Sequence, residues 1–174
     1  MTDQLGQSQV IPYLIGLSEK NYSITILSCE KKGAFEKGKT KIKELLDRHN
    51  ILWEPLLYTK YPPVLSTIYD ISKIKKKADQ LSRKTNFDIV HCRSYIAGMV
   101  GLTLKKKYQC KFIFDMRGFW ADERVDGKLW NLNNPVYKII YKYFKRKEKE
   151  MLLSVSCLFL RKIKGESHTL AQRN

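Results

Sequence analysis

The residue types best suited to chemistry gather in one run, KFIFDMRGFWADE, Lys111–Glu123. Asp115, Arg117, Gly118, Trp120, Asp122 and Glu123 place three carboxylates beside a guanidinium and an indole face. That combination suits the gripping of a polar ligand. Phe112, Ile113 and Phe114 precede it as an unbroken apolar run of the kind that forms a buried parallel strand. Polar groups placed where such a strand ends are how open α/β sheets build ligand sites. The simpler alternative is an Asp–Arg pair that pins a strand to a loop.

Two further places have suitable chemistry. Arg93 and Ser94 follow the apolar strand expected over Phe87–Cys92, and the planar fork of Arg93 suits a phosphate, a carboxylate or a neighbouring acid equally. Gly6, Gln7, Ser8 and Gln9 open a helix, where a glycine, free amides and the positive dipole end favour anions, although most such stretches are plain helix caps. His91 reads as a hydrogen-bonded core histidine. The three His and four Cys are scattered, so neither Cys–His catalysis nor a zinc site is expected. Cys29, Cys92, Cys110 and Cys157 read as buried thiols of a reducing compartment.

The elements that must position these residues follow from periodicity. Helices are expected from Ser8 to about Asn21, over Thr40–His49, Ser66–Thr85 and Tyr95–Tyr108, and from Pro135 to about Leu153. Strands are expected over Ser23–Cys29, Ile51–Tyr58, Phe87–Cys92, Lys111–Met116 and Val155–Leu160. Pro55 suits an edge strand, and Pro62 and Pro63 break the chain. Lys31–Gly38 and Arg117–Asn134 read as connections. Ile68, Ile71, Ile74, Ala78 and Leu81 form the inner stripe of the third helix, and Ala97, Gly98 and Gly101 give the fourth a face of small residues for close packing. The alternation predicts a doubly wound, Rossmann-like α/β domain with a single parallel sheet over residues 1–160, then an irregular tail, 161–174.

The chain has 174 residues, 43% of them hydrophobic, enough for one cored domain rather than a disordered tail. Its 33 Lys and Arg against 17 Asp and Glu give a net charge of +16, which favours an anionic partner without naming it. The lysines of Lys73–Lys77, Lys105–Lys107 and Lys142–Lys149 read mainly as solvated helix faces. The last helix interleaves aromatics with bases. Its stripe of Val136, Ile139, Ile140, Tyr143 and Phe144 is expected to pack on the sheet, with peripheral membrane contact through 135–153 as the second reading. No secretory signal and no stretch of about 18 apolar residues is seen. A cytoplasmic location is therefore expected, with the inner face of the cell membrane as its peripheral variant.

GQSQVIPYLIGLSEKNYSITILS, FDIVHCRSYIAGMVGL and KFIFDMRGFWADERV together resemble the amino-terminal domain of family 4-type glycosyltransferases, over roughly Thr2–Leu153. The resemblance implies the GT-B architecture, two Rossmann-like domains facing across a cleft. This half would take the acceptor; the other would hold most of a nucleotide-sugar donor. Transfer would proceed with retention, without metal or other cofactor. Partners would be the nucleotide-sugar and a glycan or lipid-linked acceptor of cell-surface polysaccharide synthesis, with nucleic acid not expected. By position, Gly6, Gln7, Ser8 and Gln9 would approach the donor phosphates. Arg117, Asp122 and Glu123 would serve catalysis, and Arg93, Ser94, Asp115, Gly118 and Trp120 would line the cleft. Many relatives carry a histidine after the fifth strand, where this chain has Arg117.

The chain departs from that family at both ends: the first, central strand and the second domain are absent. Read one nucleotide out of frame, ordinary codons for Arg161–Asn174 spell a helix-forming segment ending Leu-Thr-His-Trp-Leu-Lys-Glu, so a frameshift near Leu153–Leu160 is expected. A truncated transferase of this kind is expected to be inactive alone. The alternatives are a stand-alone basic module binding anions or nucleic acid, and a fragment left without a stable fold by its unpaired strand edges.

Overall fold

A computed structural model of the chain describes residues 1–59, 61 and 65–160. Pro62, Pro63 and the tail 161–174 lie outside the described residues. The protein is α/β, and its strands pair in parallel, as the alternation predicts. The expected single sheet is replaced by two, one of two strands and one of three. The chain divides into two compact units, Met1–Ala78 and Asp79–Asn174, with the boundary inside one long helix.

The first unit opens with a π turn, Gly6–Val10, running into α1, Ile11–Ser18. The helix is already under way at Ser8, so the expected cap is not one: Ser8 Oγ donates to the Gln4 carbonyl at 2.8 Å. Asn21 then takes the left-handed turn (φ 64°) into β1, Ile24–Glu30, a conformation asparagine tolerates well. α2, Lys32–Arg48, absorbs the expected Lys31–Gly38 connection, and a left-handed Asn50 leads to β2, Ile51–Leu57. Gly33 and Gly38 were the cue for a loop; here the buried Ile42 and Leu46 draw α2 onto the strands. Ile11, Ile26, Ile42, Leu46 and Ile51 form the core of this unit. Pro55 lies opposite Ser28 in β2, which has β1 as its neighbour and is an edge as expected.

At the end of β1, Glu30 is 2% exposed. The Met1 ammonium donates to it at 2.5 Å, the Thr2 amide at 3.0 Å, and the Thr2 and Ser28 hydroxyls at 2.6 Å each. Burial alone would raise its pKa. The Met1 ammonium and the Ser28 and Thr2 hydrogen bonds outweigh that and hold it at about 2. α3, Leu65–Lys84, follows; Ala78 of its stripe is buried, but Ile68 is exposed. Asp70 is buried instead and accepts from the Thr59 amide at 2.8 Å.

The second unit has strand order β3 (Ile89–Arg93), β4 (Lys111–Met116), β5 (Cys157–Leu160). α4 occupies Tyr95–Tyr108 and β4 Lys111–Met116, both as expected. The Arg117–Asn134 connection contains a short helix, α5, Trp120–Asp126, whose first turn carries Asp122 and Glu123. α6 spans Pro135–Ser154, capped by the Asn134 side chain. Cys92, Phe112 and Phe114 turn one sheet face toward α4 and α6. The alternate residues Ile89 and His91 are exposed, so His91 is not the core histidine expected. Among the cysteines, Cys92 and Cys110 are buried but Cys29 is exposed, against the reading of buried thiols.

The small-residue face of α4 does pack closely. A Cβ on Gly98 would lie 2.5 Å from Met151 Sδ and 2.8 Å from the Phe114 ring. One on Gly101 would lie 2.6 Å from the Phe112 ring and collide with Cys92 Sγ. Phe112 is fully buried and has nowhere to go. Gly101→Ala should therefore destabilise the protein by about 1–3 kcal/mol, overpacking outweighing the ~1 kcal/mol that alanine gains in a helix; urea unfolding measures it, and a more stable variant would refute the packing. In the first unit the folded pKa of Glu30 lies below its unfolded value, so its contribution is present above about pH 4.5 and lost as pH falls toward 2. Thermal melts across that range should show a falling midpoint that flattens in Glu30→Gln.

Candidate functional site

The polypeptide leaves β3 through Ser94, whose backbone (φ 85°, ψ 163°) lies in a region almost reserved for glycine. Such a conformation costs about 1–3 kcal/mol and persists only where the surroundings enforce it. Here the Ser94 amide donates to the Asp115 carbonyl at 3.3 Å, and its carbonyl accepts from Gly98 at 2.8 Å. β4 ends one strand over, and Gly118 turns the chain with φ 149° into α5. The two strand ends border an open cavity of about 140 Å³, lined by Ser94, Tyr95, Ile96, Arg117, Gly118, Trp120 and Glu123.

Of the residues read from the sequence as catalytic, Arg117 and Glu123 meet at this cavity. The Glu123 carboxylate folds over Gly118 into space that any Cβ there would occupy. Asp122 turns elsewhere: it accepts from Tyr141 Oη at 2.7 Å and Lys145 Nζ at 2.8 Å. Burial would raise its pKa, but the bonds from Lys145 and Tyr141 lower it overall. A carboxylate so occupied is a strut between α5 and α6. Arg93 and Asp115 stand opposite each other in the parallel register, Nε to Oδ2 3.3 Å, and are not among the lining residues. Their pairing is the neighbouring-acid alternative for Arg93, made between two strands. Gly6, Gln7, Ser8 and Gln9 lie in the first unit within the opening π turn. The Gly6 amide donates to Asp3 Oδ1 at 3.0 Å and that of Gln7 to the Asp3 carbonyl at 3.1 Å, so an acid already sits where an anion would.

Tyr95, Ile96 and Glu148 belong to the site's construction but not to the sequence reading. Tyr95 is 4% exposed and donates to Glu148, itself 5% exposed. Burial and then the Glu148 bond push the Tyr95 hydroxyl's pKa upward. Lys145 Nζ bridges Glu148 Oε1 at 2.6 Å and Asp122. The clue to Glu148 was its spacing: it follows Phe144 by four and precedes Met151 by three, on the buried stripe of α6. Trp120 is held between Phe144 (4.8 Å), Trp130 (5.3 Å) and Tyr95 (6.0 Å), with the Arg124 guanidinium 5.0 Å from its centroid. An indole fixed in this way is a rigid part of the cavity wall.

The lysine cluster of α4 is engaged internally: Lys105 donates to the Ser154 carbonyl, Lys106 pairs with Glu150 and Lys107 with Asp79. Among the described residues, no group of three or more His, Cys, Asp or Glu could hold a metal. No helix there is long and apolar enough to cross a membrane. Compared with known proteins, the chain matches no family model, no curated protein and no solved structure.

Lys145 is the keystone of the support. Lys145→Met should leave the Glu148 charge with Tyr95 as its remaining partner and destabilise the protein by about 2–3 kcal/mol, at the low end because Lys145 is a third exposed. Adding Glu148→Gln should recover part of that loss in urea titrations. An additive double variant would show that the network is not coupled.

Proposed function

We propose that this chain is the acceptor-side, amino-terminal half of a retaining glycosyltransferase of the family 4 type, taking a glycan or lipid-linked acceptor beside a nucleotide-sugar donor. The observation that carries this reading is the cavity at the carboxyl ends of β3 and β4, where Arg117, Trp120 and Glu123 converge. An indole face with a guanidinium and a carboxylate at its rim suits a polyhydroxylated ring, which offers both apolar C–H faces and hydroxyl edges. Strain at Ser94, on the lip of the cavity, supports the same place.

Strand order supports the finer, Rossmann-like reading. In the order 3-2-1-4-5-6, removing the first strand leaves a pair and a triplet, each parallel. The two sheets here have that composition, β1-β2 and β3-β4-β5. Among the described residues, β1 and β3 are each unpaired on one side. Arg117 and Glu123 are the groups in reach of a ligand; Asp122 serves the scaffold. In the GT-B architecture the donor is held by a separate domain, so these residues alone provide the acceptor half of a site. The stand-alone nucleic-acid module draws support from net charge alone, and the α4 lysines nearest the sheet are already paired.

Binding is therefore the property to measure. Tryptophan fluorescence titrated with a panel of cell-surface oligosaccharides should give saturable quenching by at least one glycan. Arg117→Ala should weaken that by about ten-fold, the loss of one charged hydrogen bond. No saturable glycan, or binding indifferent to Arg117→Ala and Glu123→Gln, would overturn the assignment.

A further inference from the structure

The last long helix holds its buried stripe and its solvent face in an unusual balance. Phe144, Glu148 and Met151 point inward, and Ile140 is half-buried. The rest of the apolar stripe does not follow them: Val136 is 59% exposed, Ile139 69% and Tyr143 49%, with Leu153 at 76% near the end. Packing on the sheet therefore uses only part of what the sequence provides.

Successive helical residues turn about 100°. On that wheel Val136, Tyr143 and Ile139 form one edge of the outer face, and Arg146, Leu153, Lys142, Lys149 and Lys138 continue it over about 160°. Lys138, Lys142, Arg146 and Lys149 make no ion pair among the described residues, whereas Lys145 and Lys147 are spent on Asp122, Glu148 and Glu150. Glu150 falls inside this arc, between Tyr143 and Ile139 on the wheel, and its charge is taken up by Lys106 and Lys147 at 2.5 and 2.7 Å. The face is thus a strip of uncovered aliphatic and aromatic side chains bordered by uncompensated cations.

We propose that the outer face of α6 docks on an anionic lipid bilayer, with Val136, Ile139 and Tyr143 at the acyl boundary and the four cations among the headgroups. Charge complementarity selects an anionic occupant, and the aliphatic edge selects among anions. A nucleic acid would use the cations and leave Ile139, Val136 and Leu153 in water; a bilayer satisfies both halves of the strip. A second copy of this chain would set the same four cations against themselves across a two-fold axis, a repulsive arrangement. The proposal is independent of the transferase reading, since it concerns a different surface and a different readout.

Co-sedimentation of the full chain with vesicles tests it. The protein should bind phosphatidylcholine vesicles containing about one-third phosphatidylglycerol, and not phosphatidylcholine alone, with affinity falling as salt rises. The double substitution Lys142→Gln, Arg146→Gln should weaken binding by roughly 25-fold, about five-fold per cation. Ile139→Asp should weaken it by about ten-fold without altering the circular dichroism, because Ile139 is solvent-facing. Three outcomes would overturn the proposal: no binding to the anionic vesicles, binding that resists Ile139→Asp while yielding to the charge variant, or a solution dimer that Ile139→Asp disperses. The second would identify a simple phosphate-binding surface, which a duplex oligonucleotide would then occupy equally well.

Discussion

A carboxylate buried in an apolar stripe must find partners, and Glu148 finds one on α4 and one on its own helix. Tyr95 reaches it from the start of α4, and Lys145 carries its charge on to Asp122 at the start of α5. An unpaired charge at 5% exposure would cost several kcal/mol. The three helix segments are therefore obliged to meet where these groups meet, and that meeting point lies against the strand ends. Trp120 and Tyr95 become fixed cavity walls as a consequence of satisfying Glu148.

A second constraint works from the opposite side. Phe112 and Phe114 fill one face of the three-stranded sheet, their rings 6.2 Å apart, and leave room over them only for a helix without side chains at two positions. Gly98 and Gly101 supply those positions. Close approach of α4 brings its first residue, Tyr95, onto Phe114 at 6.0 Å, and forces the chain between β3 and α4 through the strained Ser94. Packing and strain thus share one origin. Glycine would relieve the backbone at Ser94; the chain keeps a hydroxyl there, at the cavity's edge.

The first unit solves a comparable problem differently. Its core is aliphatic, drawn from two helices and two strands, and its buried glutamate, Glu30, is satisfied in part by the chain's first two residues. Trp53 joins in through its indole N–H, which donates to Ser28 Oγ at 2.9 Å, so the Ser28 hydroxyl links strand β2 to Glu30. The two units therefore each rest on one buried glutamate, and in neither is that residue part of a recognisable motif.

The sequence by itself determined the α/β class, the limits of β4 and α4, the glycine face of α4 and the concentration of polar groups where β4 ends. Each of these follows from local periodicity, and periodicity is written in consecutive residues. What it missed had distant causes. Lys31–Gly38 reads as a loop because of its glycines until Ile42 and Leu46 anchor the helix; His91 reads as core until its strand face is left open; Ser8 reads as a cap until the turn begins earlier. Only the tertiary structure decided which acids face the cavity. Asp122 and Glu123 are adjacent in the chain and equivalent in type, but Tyr141 and Lys145 claim the first, while Gly118 leaves space for the second. Arg93 and Asp115 were likewise separated from the site by parallel register, which sets them side by side. The outer face of α6 belongs with these: its stripe is one pattern in sequence, and the geometry of packing divides it into a buried half and a half left to water.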